Sequence, residues 1–173
     1  MTFRLPGTTI EVNQSHLADV DLIYGPMFLS EGMQLRQITQ LIGVEPHTVQ
    51  NWVKRGFIPS PVKKLYDRSR FVRLALLNYF KDVFALEQIL ELLRYVGQDD
   101  LVYKAFCHLL SLTPSDPIRS ETKLAEFVEE SIDFVPLDYT RTSKVQAEKL
   151  LTILYVAHLS IVLKHEAEKL LLS

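Results

Sequence analysis

The apolar residues between positions 33 and 56 recur at helical spacing in two short segments. In the first, residues 33–42, one face is apolar and the opposite face carries arginine and glutamine. Gly43 can adopt the left-handed backbone that ends a helix, and Pro46 suits the first turn of the next one. Gly56 ends that second helix just after Lys54 and Arg55. The pattern predicts two short helices joined by a tight turn.

The second predicted helix has two chemically different faces. Val49, Trp52 and Val53 point to one side, where Trp52 is expected to anchor the core. The opposite side carries polar residues, namely His47, Gln50, Asn51 and Lys54. A helix that packs against its own domain and reads the DNA major groove needs this division.

The segments that follow predict the rest of a small domain. Residues 57–61 contain two prolines and should run extended, and residues 62–66 can form a small wing. Apolar periodicity then predicts helices over residues 68–83 and 85–96. Together with the two short helices, these elements predict a compact domain over residues 33–97.

The two flanking regions differ in pattern. Residues 1–32 are mixed in character and are expected to form an N-terminal arm. Residues 98–173 read as helical throughout, with segments at 99–112, 120–134 and 140–172. The last segment is much longer than an average helix and is apolar on more than one face, so it needs the preceding helices or a second chain as partners. The expected fold class is all-α.

Charge is unevenly distributed along the chain. The net charge is −2, but residues 33–81 contain nine Lys or Arg against two acids, which gives +7 for this segment and −9 for the remainder. Such asymmetry is the electrostatic footprint expected of a phosphate-facing surface. The acidic remainder is expected to face away from it.

Composition argues against several other classes. A single cysteine, Cys107, excludes an intramolecular disulfide, and the histidines lack metal-ligand spacing. No catalytic motif is present, so we expect no enzyme activity, no catalytic residues, no metal site and no cofactor. The first residues lack the features of a signal peptide, and the apolar run 150–163 is shorter than the roughly 20 residues that a membrane span needs. A cytoplasmic protein without a membrane partner is expected.

The order of these pieces resembles the DNA-binding domain of the MerR-type regulators, over about residues 33–96. The matching pieces are 35–44 (LRQITQLIGV) for the first helix and turn, 48–52 for the recognition helix, 56–59 for the G-x-x-P element, 64–66 for the wing and 84–89 for the helix corner. Gln50 stands where many of those regulators have arginine, and the wing is short. Sensing of thiophilic metals is not implied, since the cysteine set is absent. The full layout also resembles an uncharacterised bacterial family known only as a domain of unknown function.

The resemblance implies a winged helix-turn-helix and a set of DNA-binding residues. Gln50 and Asn51 can pair with adenine, while Lys54 and Arg55 can reach guanine or phosphate. The wing and the residues after it would contact phosphates. The predicted DNA-binding residues are His47, Thr48, Gln50, Asn51, Lys54, Arg55, Lys63, Lys64, Tyr66, Arg68 and Arg70.

The expected function is that of a sequence-specific DNA-binding protein, a bacterial transcriptional regulator. Its partners are double-stranded DNA and a second copy of the chain, bound through the C-terminal helices and chiefly through residues 140–172. No pattern identifies a small-molecule effector. Two alternatives remain open: a protein-interaction module whose basic face binds an acidic partner, and an architectural DNA binder of the excisionase-like kind with little sequence preference.

Overall fold

The computed structural model describes residues 2–114 and 123–172 and is mostly helical. The all-α class expected from the sequence is confirmed. Strands in the described part are short and form two antiparallel pairs, β1–β2 and β3–β4. Two 3-10 helices, Gln14–Asp19 and Gly25–Phe28, lie near the beginning of the chain. The strands and α-helices are β1 Thr2–Arg4, β2 Glu11–Asn13, α1 Asp21–Tyr24, β3 Met33–Gln34, α2 Leu35–Ile42, α3 Pro46–Lys54, β4 Leu65–Tyr66, α4 Arg68–Phe80, α5 Leu86–Arg94, α6 Asp99–Leu112, α7 Leu124–Phe134 and α8 Lys144–Leu172.

The N-terminal arm was expected over residues 1–32; in its described part, residues 2–32, several apolar residues pack into the main core. Leu5, Leu17 and Tyr24 are buried there; helix α6 packs against the 3-10 helix that holds Leu17, and its Tyr103 ring contacts the Tyr24 ring. The hydroxyl of Tyr103 on α6 donates a hydrogen bond to the Pro6 carbonyl at 2.7 Å. This segment therefore supports the central helix.

Helices α2 and α3 form as their local sequence dictates. The Gln37 side chain accepts a hydrogen bond from the Gln34 backbone N–H and so caps α2. Gly43 takes the left-handed conformation at φ 77° and ends this helix. Pro46 lies in the first turn of α3. The helix expected at 33–42 starts only at Leu35, because the two residues before it are recruited into strand β3.

Strand β3 pairs with β4, and this pairing ties the start of α2 to the segment before α4. Met33 lies opposite Tyr66, and Gln34 lies opposite Leu65. Helix α4 follows at once, and its N-cap Asp67 accepts a hydrogen bond from the Arg70 backbone N–H at 3.0 Å. Helix α4 ends at Phe80, earlier than the predicted residue 83, and α5 spans less than the predicted 85–96.

Helix α6 lies at the centre of the described chain and contacts α4, α7 and α8. The predicted bounds of this helix are confirmed, whereas α8 starts at Lys144 rather than near residue 140. The buried residues of α8 end at Ile161, and of the later residues of this helix all but Val162 are exposed. By length and composition alone α8 could cross a membrane, although 39% of its most apolar window is buried inside the protein. A buried core helix has the same length and composition.

Candidate functional site

The polar face of α3 is exposed, and its apolar face is buried. Val49 and Trp52 pack into the core, where they are 0% and 6% exposed. The opposite face presents four of the predicted residues to solvent, His47, Gln50, Asn51 and Lys54, with Thr48 half-buried beside them. No described acidic side chain forms an ion pair with Lys54. The amide groups and the ammonium on this face are therefore available to a ligand.

Arg55 lies at the end of α3 and is attached to neighbouring elements. Its guanidinium forms an ion pair with Glu87 on α5 at 3.0 Å and lies 4.5 Å from the centre of the Phe57 ring. Both charged side chains are more than half exposed, so the pair is weak. Gly56, at φ 79°, then ends the helix. Arg55 borders the exposed face, with its charge partly balanced by Glu87.

Two further predicted residues, Lys63 and Lys64, form an exposed turn between Val62 and Leu65. Both lysines have positive φ angles, 50° and 65°, and Val62 and Leu65 form an isolated antiparallel bridge beneath them. The ammonium of Lys63 lies 4.0 Å from the Glu31 carboxylate, with both side chains about three-quarters exposed. This turn projects two cations beyond the β3–β4 pair.

The other three predicted residues, Tyr66, Arg68 and Arg70, are engaged in contacts within the protein. Tyr66 is only 4% exposed because it belongs to the core, and its burial raises the pKa of its hydroxyl. Arg70 donates to the carbonyl oxygens of Pro59 and Ser60 and to the Asp67 carboxylate. Its role in the structure is to hold the extended segment before the turn.

Arg68 belongs to an ionic cluster that joins α1, α4 and α6. Its guanidinium contacts the carboxylates of Asp21 and Asp100 and lies 5.0 Å from the centre of the Tyr24 ring. Lys104 on α6 approaches the same two carboxylates. Arg68 is therefore a link between helices rather than a residue of the α3 surface.

Part of the acidic remainder contacts the basic segment, although the sequence suggested that it would face away. Arg73 on α4 pairs with Asp99 at 2.7 Å, and Arg68 pairs with Asp21 and Asp100. These acids lie outside residues 33–81, and they neutralise arginines whose charge appeared free in the linear count. Linear spacing gave no signal for these pairs. Arg36, exposed on α2, is a further cation near the start of the segment.

Outside this surface, the cysteine and two of the histidines in the described part have contacts within the fold. Within residues 2–114 and 123–172, no three His, Cys, Asp or Glu side chains are grouped so that they could hold a metal ion. Cys107 is buried, and burial raises the pKa of its thiol. His108 and His158 are hydrogen-bonded to the hydroxyls of Ser131 and Tyr79. These hydrogen bonds account for His108 and His158 as structural residues.

Comparison with protein-family models gives a match over part of the chain. No curated protein and no solved structure matches the chain. Residues 28–106, from the end of the second 3-10 helix into α6, match a family model. The exposed face of α3 and the Lys63–Lys64 turn lie within the matched part. Over these residues the chain is similar to a domain of unknown function, DUF1836, whose description names no activity.

Proposed function

We propose that the protein binds double-stranded DNA in a sequence-specific manner and regulates transcription as a homodimer. The observation that carries this proposal is the exposed polar face of α3. It combines two amides and a cation, Gln50, Asn51 and Lys54, on a helix anchored from behind by Val49 and Trp52. An α-helix of this kind fits the width of the major groove.

Each exposed residue has a distinct task in this scheme. Gln50 and Asn51 can each form two hydrogen bonds with an adenine edge, and Lys54 can donate to guanine or to a phosphate. Lys63 and Lys64 reach phosphates beside the groove and contribute affinity without sequence choice. Helices α2 and α3 then act as the helix-turn-helix, and the turn above β3–β4 acts as a short wing in the MerR-like manner.

The internal pairing of arginines limits the expected electrostatic contribution. Arg68, Arg70 and Arg73 are engaged within the protein, so phosphate contacts depend chiefly on Lys54, Lys63 and Lys64. Each phosphate contact steepens the dependence of log affinity on log salt by about 0.9. Replacing Lys63 and Lys64 with alanine should therefore reduce that slope by about 2 per bound protomer.

A second candidate function is recognition of an acidic protein through the same face. The exposed cations Lys54, Lys63 and Lys64 support it, because ammonium groups can pair with carboxylates as well as with phosphates. The two candidates predict different ligands. If the ligand is an acidic protein, its binding should depend on the α3 face, and this chain should not bind random duplex DNA.

Selection of bound sequences from a random duplex pool at two salt concentrations tests the proposal. We expect an enriched motif that persists at the higher salt, because base contacts do not depend on counterion release. Q50A/N51A should lose the motif but retain the salt slope. K63A/K64A should retain the motif and lower the slope by about 2 per bound protomer. K164A, which removes an exposed lysine from α8, is the matched control and should change neither.

Two results would contradict sequence-specific binding. Equal recovery of all duplexes would indicate an architectural, excisionase-like binder. Absence of duplex recovery at the lower salt would exclude DNA binding. The remaining candidate function of this surface would then be recognition of an acidic protein.

A further inference from the structure

Helix α8 carries apolar residues on two opposite sides. The side that faces the core includes Ala147, Leu154 and Ile161, at intervals of seven residues, and all three are buried. A half-turn away lie Val145, Val156 and Leu163, which are 71%, 53% and 49% exposed. Because each residue of an α-helix is rotated by about 100° from the one before it, these two sets lie on opposite faces of the helix. The core therefore accounts for one face and leaves the other uncovered.

A heptad repeat runs along this side over most of α8, mostly through exposed residues; Thr152 and Leu159 are half-buried, and Leu159 also packs against the protein's own core. Successive positions are separated by four and three residues in alternation, which is the spacing of a two-stranded coiled-coil seam. We call this set the outer seam; it consists of Val145, Lys149, Thr152, Val156, Leu159, Leu163, Glu166 and Leu170. Lys149 and Glu166 are its only charged members.

We propose that the outer seam of α8 binds the outer seam of a second copy of this chain in an antiparallel pair. The proposal rests on the homodimer of the proposed function and specifies the surface and the register that form it. A two-fold axis between residues 157 and 158 places Val156 opposite Leu159 of the other copy. An isologous contact of this type closes on itself and gives a dimer rather than a fibre.

Charge complementarity selects this register. The same axis places Lys149 opposite Glu166, twice by symmetry, and places Val145 opposite Leu170 and Thr152 opposite Leu163. Sliding one helix by a heptad would bring Val156 opposite Glu166, or Lys149 opposite Leu159. A parallel pair would set Lys149 against Lys149 and Glu166 against Glu166. Like charges across a seam are unfavourable, and one polar pair is enough to specify register.

The shape of the protomer fits this arrangement. Residues 163–172 extend beyond the last buried position, Ile161, so about 15 Å of helix has no core beneath it. In the antiparallel register this extension lies along residues 145–152 of the partner, where α8 rests on its own core. Each protomer thus supplies the surface that the other's extension requires.

The two charges in the seam distinguish this partner from a membrane. Lys149 is exposed in the protomer and forms no ion pair with any described residue. Glu166 lies 2.5 Å from Lys169 of the same helix, which leaves its second carboxylate oxygen for a further cation. In hydrocarbon Lys149 would have no partner, whereas a second α8 offers it the second carboxylate oxygen of Glu166.

Reciprocal charge reversal in the full chain tests the pairing. The variants are K149E, E166K and the double variant K149E/E166K, with E168K as a control that reverses a charge outside the seam. Sedimentation equilibrium over a range of protein concentrations gives the dimer dissociation constant. We expect each single reversal to raise that constant at least about tenfold, because two like-charge contacts form per dimer. The double variant should return to within about threefold of the parent, and E168K should match the parent.

Three outcomes would overturn the proposal. The first is that the parent chain stays monomeric. The second is that the double variant has a dimer dissociation constant as high as those of the single variants. The third is that the parent binds phosphatidylcholine vesicles and does not self-associate. Duplex binding measured on the same samples separates the two proposals. If the dimer constant follows the charge-reversal pattern but the protein does not bind DNA, only the proposed function is contradicted. If the protein binds duplex DNA but its dimer constant is unchanged by these substitutions, only the outer-seam pairing is contradicted.

Discussion

Helices α3 and α6 differ in what their polar side chains contact. On α6, Asp99 pairs with Arg73 at 2.7 Å, Asp100 accepts from the Tyr24 hydroxyl at 3.0 Å, and His108 contacts Ser131 at 3.1 Å. On α3, the side chains of Gln50, Asn51 and Lys54 point to solvent, and none of them hydrogen-bonds to another described side chain.

This difference separates polar residues that hold the fold from those that can bind a ligand. A buried polar group needs an internal partner, since loss of that partner costs the full desolvation penalty. The exposed polar residues of α3 carry no such requirement, so selection for stability does not explain their identity. Substitutions in α6 should therefore lower the free energy of unfolding, and substitutions on the α3 face should not.

The largest expected loss of stability comes from a cavity-creating substitution in the core of α6. Phe106 is fully buried against Phe80 and Tyr79, so Phe106→Ala should lower the free energy of unfolding by about 3–5 kcal/mol. Urea denaturation followed by circular dichroism measures it. Phe134→Ala is the matched control, because Phe134 is 47% exposed and should cost on the order of 1 kcal/mol. Equal losses for the two variants would contradict the central position of α6.

A second prediction concerns pH. Burial lowers the pKa of His158 to about 4, and its ring contacts the Tyr79 hydroxyl at 2.6 Å and packs near Phe106 and Tyr155. Because this value is below that of the unfolded chain, the unfolded state binds more protons between about pH 6.5 and 4. The free energy of unfolding should be highest above pH 6.5 and should fall by up to about 3 kcal/mol toward pH 4.

The variant His158→Gln tests this assignment, since its amide can still accept from Tyr79 but does not titrate in this range. Its free energy of unfolding should change less between pH 7 and 4 than that of the parent. A residual dependence is expected from His108, whose pKa is also lowered by burial. The same pH dependence in parent and variant would contradict the role of His158.

A third prediction concerns the ion pair that joins α4 to α6. Asp99 is buried and Arg73 is partly exposed, so Asp99→Ala leaves a guanidinium without its carboxylate while water still reaches it. We expect the free energy of unfolding to fall by about 2 kcal/mol. The double variant D99A/R73A should recover part of this loss, because no unpaired charge remains. No recovery in the double-mutant cycle would show that the two residues act separately.

Features set by local spacing could be predicted from the sequence, and features set by contacts between distant segments could not. The faces of α3 were predictable because Val49, Trp52 and Lys54 follow a local 3.6-residue period, and Gly43 and Pro46 mark the boundaries of the turn between helices. The roles of Arg68 and Arg73 were not predictable, because their partners are 47 and 26 residues away in the chain. Only the packing of α1, α4 and α6 brings these charges together.

The region 2–32 shows a similar limit. Its apolar residues are spread among turns and short strands, so no single period indicated burial. The close approach at Gly7 depends on tertiary packing: a Cβ there would lie 1.9 Å from the Ala75 carbonyl oxygen on α4. Such contacts between distant segments decide whether a mixed sequence packs into the core, and local pattern does not contain them.

The smallest expected effect on stability comes from the α3 face. The triple variant Q50A/N51A/K54A removes exposed groups from a helix whose anchors, Val49 and Trp52, remain, and alanine favours helix. The free energy of unfolding should stay within about 0.5 kcal/mol of the parent per substituted residue. Affinity for the selected duplex should nevertheless fall at least about a hundredfold, since each lost base contact costs about 1–3 kcal/mol of discrimination. Fluorescence anisotropy with a labelled duplex and urea denaturation of the same preparation measure the two quantities together. Retained affinity with retained stability would mean that the exposed side of α3 does not read DNA, and the contrast with α6 would then describe packing alone.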